Sequence, residues 1–173
     1  MKTVLTVTII VFFGLTTCYG QANSIDFSKF RLSGLEYYSS KQAISKKFGK
    51  PKRVVEPDYE CGFYSEREQG NKYYQLDYEH LKFIGNDKEL YGIETMEFSS
   101  NGDKILEYGQ WELSAKTTIK DFVKVFGKSA LDKPYKHNNG ETSITLFAKG
   151  ADNGITFFFN SGHLVRIEHF SPC

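Results

Sequence analysis

The side chains in this 173-residue chain that could carry chemistry are three cysteines, four histidines and an excess of carboxylates without a fixed pattern. Cys61 and Cys173 form an even pair, and the natural expectation for a chain that enters an oxidising compartment is a single disulfide between them. Closing a loop of that length would contribute about 4 to 5 kcal/mol in the chain-entropy account. His163 and His169 fall on one face of one predicted strand. At roughly 3.3 Å per residue they stand about 20 Å apart, too far to share a metal. His80 and His137 have no ligand spacing around them. There is no G-x-S-x-G elbow, and Glu94 with Glu97, or Glu107 with Glu112, read as solvated strand carboxylates. Asp152-Asn153-Gly154 reads as a turn, because the further oxygen ligands and distal Glu of an EF-hand do not follow it. The sequence therefore leads to no catalytic residue, no metal and no cofactor.

Residues 1–20 have the three-part plan of a secretory signal: a basic start at Lys2, an apolar run from Val4 to Leu15, and a small polar end at Cys18-Tyr19-Gly20. The run is shorter than the roughly 20 residues that spanning a bilayer requires. Cleavage after Gly20 is the leading expectation, and Leu15-Thr16-Thr17-Cys18 loosely matches a lipoprotein box, so lipidation of Cys18 is the alternative. Either cut removes Lys2 and leaves 21 basic against 21 acidic side chains, a balance that gives nucleic acid no electrostatic footprint. The basic run Lys46, Lys47, Lys50, Lys52 and Arg53 follows a helix C-terminus, where the backbone dipole favours cations, and Glu56, Asp58 and Glu60 follow at once.

The chain contains an internal echo. Ile25, Phe27, Phe30, Leu32 and Ser33 recur as Leu106, Tyr108, Trp111, Leu113 and Ser114, and Ile44, Lys46, Phe48, Gly49 and Lys50 as Phe122, Lys124, Phe126, Gly127 and Lys128. Three strand patterns follow each helix. The fold predicted is α+β, two copies of a strand, a helix and a three-strand meander, with an antiparallel sheet carrying its helices on one face. Residues 21–105 form the first copy and 106–173 the second, sharing one globular unit. Ile119, Phe122, Val123 and Phe126 lie on one helical face, capped by Thr117 or Thr118, and the shorter first helix is capped by Ser39 or Ser40 and stopped by Gly49 and Pro51. Turn residues at 85–87, 101–102, 139–140, 152–154 and 160–162 bound the strands.

Strand parity divides the side chains. Ile144, Leu146, Ile155, Phe157, Phe159, Val165 and Ile167, with Leu76, Leu81, Phe83 and Ile93, are assigned to the core beneath the helices. The opposite face then carries Tyr73, Gln75, Lys82, Met96, Phe98, Phe147, Phe158, Arg166 and Glu168. This aromatic and charged mixture is of the kind enriched at protein interfaces, and partial cover by loops is the competing explanation.

A tandem of units in which a helix ends in Phe-Gly-Lys (Phe48-Gly49-Lys50 and Phe126-Gly127-Lys128) before an antiparallel meander resembles the β-lactamase inhibitor protein family. More distantly it resembles the small outer-membrane barrel-assembly lipoproteins. The first resemblance implies an open sheet face that clamps a partner protein, the second a scaffold role, and both imply non-catalytic binding. The chain departs from the inhibitor family in opening each repeat with a strand and one helix instead of two helices, and no functional residue carries over.

The resulting expectation is an exported binding module, periplasmic or secreted, that holds a protein or envelope component on the open sheet face and has no transmembrane span. The alternatives are an envelope hydrolase whose site forms only in the tertiary structure, and a structural outer-membrane lipoprotein anchored at Cys18.

Overall fold

A computed structural model describes residues 24–99 and 104–173. The predicted signal and Cys18 lie outside these residues, as does the turn at Asn101-Gly102.

The chain is α+β and mostly sheet. Its elements are β1 (Ser24–Ile25), β2 (Phe30–Leu32), β3 (Leu35–Glu36), β4 (Tyr38–Ser39), α1 (Lys41–Phe48), β5 (Arg53–Val55), the single turn α2 (Glu66–Gln69), β6 (Tyr74–Asp77), β7 (Leu81–Gly85) and β8 (Tyr91–Glu97). There follow β9 (Leu106–Tyr108), β10 (Trp111–Leu113), α3 (Ile119–Phe126), β11 (Tyr135–Lys136), β12 (Thr142–Ala148), β13 (Gly154–Asn160) and β14 (His163–Phe170). The main sheet runs β1-β12-β13-β14-β8-β7-β6-β5, with β11 also on β12 and β4 also on β8. The two meanders thus meet at their last strands, where Ile167 of β14 faces Met96 of β8. Every pairing is antiparallel except β1 with β12.

Both longer helices lie on one face of this sheet. On α3, Phe122 and Phe126 pack on Phe157, and Phe122 also on Phe159, with ring centroids 4.9 to 5.4 Å apart. On α1, Ile44 is fully buried and Phe48 meets Phe83 at 5.8 Å. The caps are those the sequence offers. The Ser40 hydroxyl accepts from the Ala43 N–H, and Thr118 and Asp121 form a reciprocal capping box. Gly49 and Gly127, both at positive φ, end the helices.

The segments before the helices depart from the reading of single strands joined to each meander. Ser33 and Gly34 adopt φ of 52° and 83°, and Gly109 adopts 59°, left-handed turns that fold each segment back on itself. The result is a separate small sheet, β10-β9-β2-β3. Its Phe30, Leu32, Leu106 and Leu113 join the same buried core as the main sheet.

Two bulges revise the assignment of faces. Between β7 and β8, Lys82 faces Thr95 while Phe83 faces Ile93, leaving Glu94 as the extra residue. Parity reverses there, so Met96 shares the face of Leu81 and is fully buried, and Phe98 joins the same core. Neither belongs to the open face where the sequence reading put it. Between β13 and β14 the register shifts at Phe158/Phe159, with Val165 as the extra residue and Leu164, rather than Val165, buried.

Candidate binding face

The face opposite the helices divides into two halves. Over β6 to β8 it is covered by the segment after β5, which includes α2 and is tied down by Cys61. The Cys61 and Cys173 sulfurs lie at bonding distance, with the Cα atoms 5.1 Å apart. Beside this link the Phe63 N–H donates to Ser171 Oγ at 3.0 Å, and an added Cβ on Gly62 would stand 3.0 Å from the Pro172 carbonyl. The strap lays Tyr64 against Tyr73 and Ile84, the three forming a small buried cluster of their own. Tyr59 donates to Glu94, the bulge residue, whose other carboxylate oxygen accepts from Gln75 Nε2 at 2.6 Å. Tyr73 and Gln75, predicted as free binding residues, are therefore engaged by the chain itself. Gly92 permits this packing, since a Cβ there would sit 2.7 Å from the Tyr38 ring.

β8 also leaves a gap in the sheet. Along one edge β8 pairs with β4 at Tyr91 and Gly92 and with β14 from Thr95 to Glu97, so Ile93 and Glu94 pair with neither. Tyr37 fills the gap by donating its hydroxyl proton to the Ile93 carbonyl at 2.7 Å. His169 Nδ1 lies 3.1 Å from the Tyr37 hydroxyl oxygen. The single Tyr37 proton is committed to Ile93, so the network assigns the imidazole proton to Nδ1, donating to Tyr37. Among the described residues Nε2 is buried without a partner, and burial holds the His169 pKa down at about 4. Burial likewise pushes the Tyr37 and Tyr64 hydroxyls well above the usual tyrosine range.

The half over β12 to β14 has no such strap among the described residues. Phe147 is 43% exposed and meets Phe170 edge-on at 5.6 Å. The next rows read Thr145, Thr156, Glu168 and, across the seam, Thr95, then Ser143, Phe158, Arg166 and Glu97. The Arg166 guanidinium lies 4.0 Å above the Phe158 ring centroid, a cation–π contact that explains why Phe158 is buried on a polar face. Its Nε is 2.7 Å from Glu168, an ion pair without hydrogen-bond alignment, and its Nη1 is 3.8 Å from Glu141. Lys82 lies across from Thr95 on β8 and Asp77 on β6, at the boundary of the two halves.

Sequence reasoning missed Tyr64, which no periodic pattern marks. It also missed His137, whose Nε2 lies 2.9 Å from Ser143 Oγ and whose ring approaches Phe158 at 5.7 Å. The Asn139-Gly140 turn carried a usable signal, because a hairpin there returns His137 beside Glu141 and so into the Arg166 cluster. Glu141 and Glu168 flank Arg166, and Glu97 across the seam on β8 is held by His80 Nδ1 at 2.7 Å, so the cluster around Arg166 is aromatic and carries more acid than base. Such an arrangement can bind an apolar and basic surface. Among the described residues no cluster of His, Cys, Asp or Glu could hold a metal ion, and no helix is long and apolar enough to cross a membrane. No family model matches the chain, and neither the curated proteins nor the solved structures contain a match to it.

Proposed function

We propose that this chain is an exported, non-catalytic binding module in which the uncovered half of the sheet holds a protein or other envelope component of basic and apolar character. The observation that carries the reading is the unequal cover: Phe147, Arg166 and Glu168 stay on an uncovered face, with Phe158 buried beneath Arg166, while Tyr73 and Gln75 are held by a disulfide-tied strap. Interfaces are built around aromatic anchors and arginines of this kind. The link between Cys61 and Cys173 supports export, since such links persist in oxidising compartments. The meeting of two meanders at their last strands supports descent from a duplicated unit like that of the β-lactamase inhibitor proteins.

A photo-reactive side chain installed at position 147 tests the reading in the native host, with a second installed at Lys120 on α3 as control. One adduct of defined mass from position 147 alone is the expected result. Equal labelling from both positions would remove the basis for a binding face. Mass spectrometry of the mature N-terminus, starting at Gln21 or at a lipidated Cys18, decides how the module is released or tethered.

A further inference from the structure

Away from both sheet halves, α1, the β2–β3 turn and the β6–β7 turn leave a recess of 390 Å³ lined by Leu32, Ser33, Phe48, Tyr78 and Leu81, with Lys50, Lys52 and Lys104 also on its walls. The volume is within the range of small-molecule sites. Its floor is apolar: Leu32 and Leu81 are buried, and the Phe48 and Tyr78 rings stand 5.9 Å apart with the Tyr78 hydroxyl turned away to the Gly49 carbonyl at 3.1 Å.

The lysines are unequally paired. Lys52 is bound to Glu79. Among the described residues, Lys50 makes no ion pair and Lys104 Nζ donates only to the His80 backbone carbonyl, at 3.2 Å. Burial depresses the Lys104 pKa, while Glu97 and Glu79 oppose the shift from a distance without touching the amine. One ammonium is therefore partly desolvated and another has no carboxylate partner among the described residues, both beside an apolar floor. A helix C-terminus accounts for a solvated lysine such as Lys50, but Lys104 comes from a different part of the chain.

We infer that this recess is a binding site for an anionic amphiphile, a short apolar chain ending in a carboxylate or a phosphate. The chain would lie on Leu32, Phe48 and Leu81, and the headgroup would take the free donors of Lys104 and Lys50. This site is separate from the proposed partner face, and neither reading depends on the other.

Titration calorimetry of the disulfide-intact protein with decanoate and with decyl phosphate tests the inference, and decanol and decyltrimethylammonium serve as uncharged and cationic probes of the same tail. Saturable binding of one molecule per chain is expected for the anions, with the tighter of the two identifying the headgroup. Lys104→Gln should weaken it by ~10-fold or more, the scale of one charge-assisted contact, and Lys104→Arg should restore most of it. Thermal melts of both variants establish that they are folded. Decanol binding as tightly as decanoate, or a folded Lys104→Gln protein that binds the anions unchanged, would overturn the proposal.

Discussion

The two halves of the face opposite the helices are built from similar meanders and end differently. Over β6 to β8 the chain lays its own aromatics on the sheet, so that Tyr64, Tyr73 and Ile84 form a second small core. Over β12 to β14 it lays nothing comparable among the described residues, and Phe147 stays 43% exposed. Aromatic content on a sheet face therefore does not by itself separate a binding surface from a core. What separates them here is a long insertion between β5 and β6 and a cysteine inside it.

The link between Cys61 and Cys173 is the place to break that difference, because it joins residues 112 apart and holds the strap over one half only. Replacing both cysteines by serine should cost about 4 to 5 kcal/mol, read from the denaturant midpoint. The cleavage sites opened to limited proteolysis should fall between Glu56 and Lys72, and equal cleavage in the β12–β13 turn would mean that the strap is not the separate element described.

His169 sharpens the comparison through pH. The unfolded imidazole binds a proton below its ordinary value of 6.5, whereas the folded site refuses one until about 4. In that window the unfolded state holds more protons, so stability is complete above it and falls as pH drops through it, by about 3 kcal/mol at the low end. His169→Phe should flatten the profile between pH 6.5 and 4, and an unchanged slope would place the titration elsewhere.

A smaller effect is expected from Glu94→Ala, which releases Tyr59 and Gln75 and should cost about 1 kcal/mol. Its readout is faster amide exchange confined to the strap. The smallest belongs to Phe147→Ala, within about 0.5 kcal/mol of the parent, as for other exposed positions.

Much of the fold was legible in the sequence. Helical spacing and caps located α1 and α3, and the turns at 85–87, 139–140, 152–154 and 160–162 separated β7 from β8 and marked off β12, β13 and β14, while the β6–β7 turn at Tyr78-Glu79-His80 carries no Gly or Asn. The disulfide followed from counting cysteines. The faces were legible only up to the bulges, since parity carries no information across an extra residue, and Glu94 and Val165 each reversed it. Met96 and Phe98 were misassigned for that reason, while Phe147 and Phe158, on strands that carry the pattern unbroken, kept their predicted side. The strap was not legible because it has no periodicity, only a cysteine whose partner is in the last position of the chain.

The most direct test of unequal halves compares Tyr64→Ala with Phe147→Ala in two measurements, thermal stability and affinity for the component captured at position 147. Tyr64→Ala should lower stability by roughly 2 to 4 kcal/mol and leave the affinity of the folded protein unchanged. Phe147→Ala should leave stability unchanged and weaken binding at least tenfold, or about 1.4 kcal/mol. If Phe147→Ala unfolded the protein, or if Tyr64→Ala weakened binding without destabilising it, the assignment of structural and binding halves would be contradicted.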